Sequence, residues 1–127
     1  MGVKNKNLII IVATIIIIGL LGYWIWWQSN QPGKLDDFAK CLTEKGVKFY
    51  GTFWCPHCQS QKDLFGNSKK YLPYIECSTP DSNGQLEICR NEKVKAYPTW
   101  VFEGDVRQEG ELSVKELSEK SGCELPK

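Results

Sequence analysis

Histidine is nearly missing from this chain of 127 residues: His57 stands alone. A metal centre built from several imidazoles is therefore excluded. Neither sign of charge is in excess, with 16 Lys+Arg against 15 Asp+Glu. That balance leaves no basic surface to track phosphates, so nucleic acid is not an expected partner. It also excludes a charge-driven disordered tail. Internal repeats and low-complexity tracts are lacking, as is any second Cys-x-x-Cys or His-x-x-x-His to complete a zinc site. Gly2 does not open a myristoylation signal, because Lys6 stands where Ser or Thr is needed.

What the chain has is one long apolar run and six cysteines, all of them after Trp27. Leu8 to Trp27 carries no charge. As a helix it would cover roughly 30 Å, the thickness of a hydrocarbon core. Tyr23, Trp24, Trp26 and Trp27 crowd its C-terminal end, where amphipathic rings favour the headgroup layer. Lys4 and Lys6 precede it and are expected to hold residues 1–7 in the cytoplasm. A cleaved signal peptide shares that basic start. The run is longer than a typical h-region, however, and its exit (Trp26-Trp27-Gln28-Ser29-Asn30) lacks an A-x-A-like site. The expectation is a single-pass anchor over 8–27, a linker over 28–35, and an extracytoplasmic domain over 36–127. Heavy cysteine usage agrees with an oxidising compartment.

About 90 residues then remain, a small core that benefits from covalent staples. Asp36-Asp37 is expected to cap a helix carrying Phe38, Cys41 and Leu42, stopped by Gly46. Val47 to Phe53 reads as a buried strand. Pro56 suits the first turn of a helix running to about Lys70, with Leu64 and Phe65 inward. Pro73 to Cys77 reads as a second strand, and Gln85 to Asn91 as a short helix. Thr99 to Glu103 and Val106 to Gln108 flank the hairpin signal Gly104-Asp105. Ser113 and Glu116 form a capping box, Leu112 and Leu117 a hydrophobic staple, and Gly122 closes the last helix. The order α-β-α-β-α-β-β-α implies an α/β sandwich with a mixed four-stranded sheet.

The chemistry concentrates in Trp54-Cys55-Pro56-His57-Cys58, at a junction of strand and helix. There the first sulfur meets unpaired N–H groups and the helix dipole, which favour its thiolate. The second lies one turn inside, placed to attack a mixed disulfide. His57 adds a donor or partial charge that would lower the Cys55 pKa further. A soft-metal site for Cu(I) or Zn(II) is the alternative from another class, although two thiolates alone make a weak one. Haem attachment is excluded, since Gln59 stands where His is required. A redox-inactive tethering domain is the third reading. No metal and no bound cofactor are expected.

These residues, with Tyr97-Pro98-Thr99 some forty positions on, resemble the thioredoxin superfamily. Phe38-Ala39-Lys40-Cys41-Leu42, Lys62-x-Leu64-Phe65-Gly66, Tyr97-Pro98-Thr99-Trp100 and Ser121-Gly122-Cys123 resemble more closely the thioredoxin-like domain fused to bacterial and plant homologues of vitamin K epoxide reductase. The resemblance implies a thioredoxin-like sandwich after one transmembrane helix. It implies Cys55 as the attacking cysteine, Cys58 as the resolving one, and Pro98 as a cis proline facing the dithiol. It also implies a quinone-linked membrane reductase as recycling partner, here a separate protein. Trp54 and Trp100 are candidate borders of a substrate groove, with core packing as their other reading. One departure matters: thioredoxins carry a buried acid six residues before the first cysteine, where this chain has Phe49. Proton removal from Cys58 must then use water or another group, which disfavours a general cytosolic reductant.

Cys77 ends the second parallel strand, so it is expected on the same sheet edge as Cys55, with Cys89 on the helix that returns over it. Cys77 and Cys89 then form either a staple or a shuttle exchanging with Cys55 and Cys58, as proposed for the fused relatives. The staple reading is preferred. Six cysteines permit fifteen pairings. Cys41 and Cys123 remain for each other and are read as a structural bridge between the ends of the domain. The expected function is a membrane-anchored oxidoreductase that oxidises or isomerises exported proteins carrying cysteines.

Overall fold

The computed structural model describes residues 2–127. Of the expected N-terminal segment, Met1 lies outside the described residues. The chain divides into two compact units, one ending at Gln31 and the other spanning Pro32–Lys127.

The first unit is helix α1, Gly2–Ser29. Its stretch Lys4–Ser29 has a mean hydropathy of 2.8 and is long and apolar enough to cross a membrane. Its apolar side chains are exposed all round, and none of that stretch's most apolar window is buried.

The second unit has a thioredoxin-like fold. Its elements are α2 (Asp36–Glu44), β1 (Lys48–Gly51), α3 (Pro56–Asp63), β2 (Tyr74–Glu76), α4 (Glu87–Asn91), β3 (Thr99–Phe102), β4 (Val106–Glu109) and α5 (Val114–Ser121). Among the described residues the four strands make one sheet in the order β2-β1-β3-β4. β1 and β2 are parallel, and the other pairings are antiparallel. Strand alternation sends Phe49 and Trp100 to one face and Tyr50 and Val101 to the other. The first face packs beneath Phe38, Leu42, Phe65 and Leu117, with Phe49 stacked on Trp100 at 4.4 Å between ring centroids. The second holds Tyr50, Val94 and Val101 around Cys77 and Cys89.

The helix ends follow local chemistry. Gly46, at φ +71°, closes α2 with Gly46 N–H donating to Thr43 O and Val47 N–H donating to Leu42 O, the paired bonds of a Schellman cap. Ser113 and Glu116 form the expected capping box of α5, and Leu112 and Leu117 are both buried beside it.

Strand and helix ends shift by a residue or two from the sequence reading, and four departures are larger or change a residue's role. Leu35, not an aspartate, is the N-cap of α2; Asp36 and Asp37 sit in its first turn, where they complement the dipole without capping. β1 stops at Gly51, because Phe53 N–H donates to the Glu76 carboxylate instead of a neighbouring strand, and Phe53 is exposed. α3 ends at Asp63, and Gly66–Tyr71 is a separate 3₁₀ turn. Phe65 therefore reaches the core, stacking on Phe38, whereas Leu64 is exposed and not inward. The β3–β4 connection takes three residues, Glu103–Asp105.

Candidate redox site

Cys55 caps α3. Its sulfur accepts from Cys58 N–H at 3.4 Å, and Pro56 fills the first helical position, where no N–H partner is needed. One turn later Cys58 is fully buried, while 6% of Cys55 remains exposed. Both are free thiols. The Cys55 Sγ–H points to Tyr97 O at 3.8 Å, next to the cis peptide bond between Tyr97 and Pro98. Cys55, Cys58 and Pro98 thus meet at one place, where the C-terminal end of β1 faces the loop entering β3.

Close approach of backbone makes this possible. An atom in the Cβ position of Gly51 would lie 2.9 Å from Cys58 Sγ and 2.9 Å from Tyr74 Cε2. Only glycine admits the helix this near the strand. Burial pushes the Cys58 thiol up to about 12, helped by its hydrogen bond with Cys55; the Thr52 backbone and the Lys62 ammonium pull the other way. Cys58 is consequently held as a thiol near neutral pH. The position six residues before Cys55 is filled by buried Phe49, which leaves no carboxylate there.

The other predicted site residues divide. Trp54 is half exposed, donates from Nε1 to Ser78 Oγ at 2.9 Å, and meets the Tyr97 ring edge-on. It forms part of the rim and is not a core residue. His57 points outward, with Nδ1 2.6 Å from Glu111 Oε1. Cys41 is bonded to Cys123 across 82 residues, and Cys77 to Cys89 across 12. Cys77 lies at the same sheet end as Cys55, its N–H donating to Gly51 O at 2.8 Å. Cys58 nevertheless lies on the opposite face from the second pair: Cys77 and Cys89 pack with Tyr50 and Val101, whereas Cys58 packs on the Phe49 side of Gly51.

Sequence reasoning did not find three groups of contacts. Gln61 is fully buried; its Oε1 accepts from Leu112 N–H and from the Trp100 indole, and its Nε2 donates to Leu112 O. It bolts α3 to the sheet and to the segment before α5. The Tyr97 carbonyl receives the Cys55 sulfur, which only the tertiary fold reveals. Tyr74, Glu76 and Lys62 gather beside Cys58: Tyr74 Oη donates to Glu76 Oε2 at 2.7 Å, and Lys62 Nζ stands 3.3 Å from the Tyr74 ring centroid. Their spacing along the chain carries no motif.

The chain is similar to the thiol-disulfide oxidoreductase LTO1 of Arabidopsis thaliana, with 39% identity over 103 residues, 77% of this chain and 27% of that protein. It is also similar to a thioredoxin domain-containing protein 5 homolog of Drosophila melanogaster, 34% identical over 76 residues, 54% of this chain and 18% of that protein. These relatives support a thioredoxin-like superfamily. The chain spans about a quarter of the length of the first and less than a fifth of the second. No family model matches the chain. Within the thioredoxin-like unit, the start of α3 and the loop entering β3 bring together a helix-capping thiol, a buried second thiol and the cis Tyr97–Pro98 bond.

Proposed function

We propose that this protein is a membrane-anchored, extracytoplasmic thiol–disulfide oxidoreductase that oxidises or isomerises exported proteins. The observation that carries the reading is the Cys55–Cys58 dithiol itself, with Cys55 at the helix N-terminus, partly open to solvent, and Cys58 sealed behind it. As a thiolate, Cys55 is stabilised by the N–H groups of α3 and attacks a substrate disulfide, expelling one substrate thiolate. Cys58 then gives up its proton and attacks the Cys55 sulfur. The Cys55–Cys58 disulfide forms and the second substrate thiol leaves. Oxidation of a substrate dithiol runs the same steps in reverse, with the electron pair passing to Cys55 and Cys58.

The apolar helix α1 supports anchoring, and the basic residues before it support a cytoplasmic N-terminus. Under that orientation the dithiol acts on exported chains. A quinone-linked reductase of the vitamin K epoxide reductase type is the proposed recycling partner, on the resemblance of residues 36–123 to its fused domain. The full chain in detergent, supplied with a reduced substrate protein that needs disulfides for activity, tests the reading. Recovery of substrate activity with the parent and its loss with Cys55→Ser are expected. Equal recovery with Cys55→Ser would refute it, as would a purified protein carrying stoichiometric Cu or Zn with both thiols protected.

A further inference from the structure

Resting on that reading, we propose that Lys62, seated on the Tyr74 ring that Glu76 holds, is the cation that assists Cys58 in resolving the mixed disulfide, in place of the carboxylate that Phe49 displaces. Three observations converge. Lys62 lies one turn beyond Cys58 on α3, so both project from the same helical face. The Lys62 ammonium sits on the Tyr74 ring at 3.3 Å, and the edge of that ring and Cys58 Sγ both pack against Gly51. Glu76 is tied down by three donors: Tyr74 Oη at 2.7 Å, Ser78 N–H at 2.9 Å and Phe53 N–H at 3.2 Å.

Electrostatics agrees in sign. Burial, with a smaller contribution from Lys69, draws the Lys62 pKa down, while attraction to Glu76 and Cys58 opposes that draw. The groups facing Cys58 are Cys55 at the start of α3, Lys62 further along it, and Tyr74 on β2; Glu76 on β2 faces Tyr74 and Lys62, and Lys69 faces Lys62 from the 3₁₀ turn. Among these, Lys62 is the cation that lowers the cost of forming a thiolate at Cys58. Glu76 orients the Tyr74 ring through its bond to Tyr74 Oη. During resolution the Cys58 proton leaves to solvent, the Cys58 sulfur bonds to Cys55, and the Cys55–substrate bond breaks. The departing thiolate then takes up a proton. In the reverse direction the same ammonium stabilises Cys58 as leaving group.

The test separates the two steps. The reduced full chain in detergent is mixed with 5,5′-dithiobis(2-nitrobenzoate) in a stopped-flow instrument. The first thionitrobenzoate released reports attack by Cys55, and the second reports attack by Cys58 on the mixed disulfide. Lys62→Gln is expected to slow the second release about fivefold at pH 7 and move its pH midpoint upward, leaving the first release unchanged. Lys62→Arg should restore most of the rate. The inference is overturned if Lys62→Gln leaves the second release and its pH midpoint unaltered, or slows both releases equally. Failure of the underlying reading looks different: Cys55→Ser would retain the first release.

Discussion

Replacing both Cys77 and Cys89 by alanine should destabilise the thioredoxin-like unit without altering the chemistry of Cys55. The bridge closes a loop of 12 residues. In the chain-entropy picture a loop of that length restricts the unfolded chain by about 9–10 cal/mol/K, or about 3 kcal/mol at 25 °C. Alanine avoids burying a new hydroxyl at two positions that are fully shielded from solvent. For a unit of this size, 3 kcal/mol corresponds to a fall in Tm of about 15 °C. The assay is a thermal melt of the full chain in detergent, followed at the tryptophans of the thioredoxin-like unit. The first thionitrobenzoate release, counted per folded molecule, should match the parent. A shuttle makes the opposite prediction: the variant would keep its Tm, react normally with small disulfides, and lose electron transfer to its membrane partner. A fall of less than ~3 °C together with selective loss of partner turnover would refute the staple reading.

Iodoacetamide at pH 7 should modify Cys55 well before Cys58, as read by peptide mass after brief exposure, because Cys58 is both sealed and held as a thiol. Gln61→Ala should cost about 2–4 kcal/mol in urea denaturation, since it strands Leu112 N–H, Leu112 O and the Trp100 indole in the core. Stability of the reduced protein should fall with alkaline pH. The unfolded chain loses the Cys58 proton near 9.0 whereas the fold holds it to about 12, so the contribution is full below 9.0 and disappears as pH climbs from there. Parallel melts of the reduced parent and Cys58→Ala should converge over that range, and parallel curves would contradict the assigned shift.

Much of the architecture was legible because it rests on local rules. The Ser113–Glu116 box, the stop at Gly46 and the proline opening α3 each satisfy orphan backbone groups with neighbours in sequence. The ends of β1 and α3 were not legible, because tertiary partners decide them. Glu76 removes Phe53 from the sheet by taking its N–H, and the buried Ser68 accepts Leu35 N–H to hold a tight turn where helical spacing would have continued. The dithiol announced itself through spacing and a strand–helix junction. Gln61, Lys62 and Glu76 could not, since a polar residue on a helix face or strand end reads as solvated until the fold brings a second element over it. Glu76 shows the difference most clearly: it lies one residue from Cys77, yet its partners are Phe53, Tyr74 and Ser78.

The sheet also decides which sulfurs can meet. β1 and β2 run parallel, so Gly51 and Glu76 are paired and the chain leaves both strands at the same end. That is why Cys55 and Cys77 share an edge. Pleating then separates them, because successive residues along a strand face opposite sides. Cys58 packs against Gly51 from the Phe49 side, and Cys77 turns with Ile75 toward Tyr50. A layer of backbone lies between the pairs, pinned by the bond from Cys77 N–H to Gly51 O. Exchange with the second pair would further require the fully buried sulfurs of Cys77 and Cys89 to emerge, whereas 6% of Cys55 is exposed as it stands. The staple outcome predicted above rests on that burial and on the backbone between Cys58 and the second pair, and partner turnover in the double variant is the measurement that decides it.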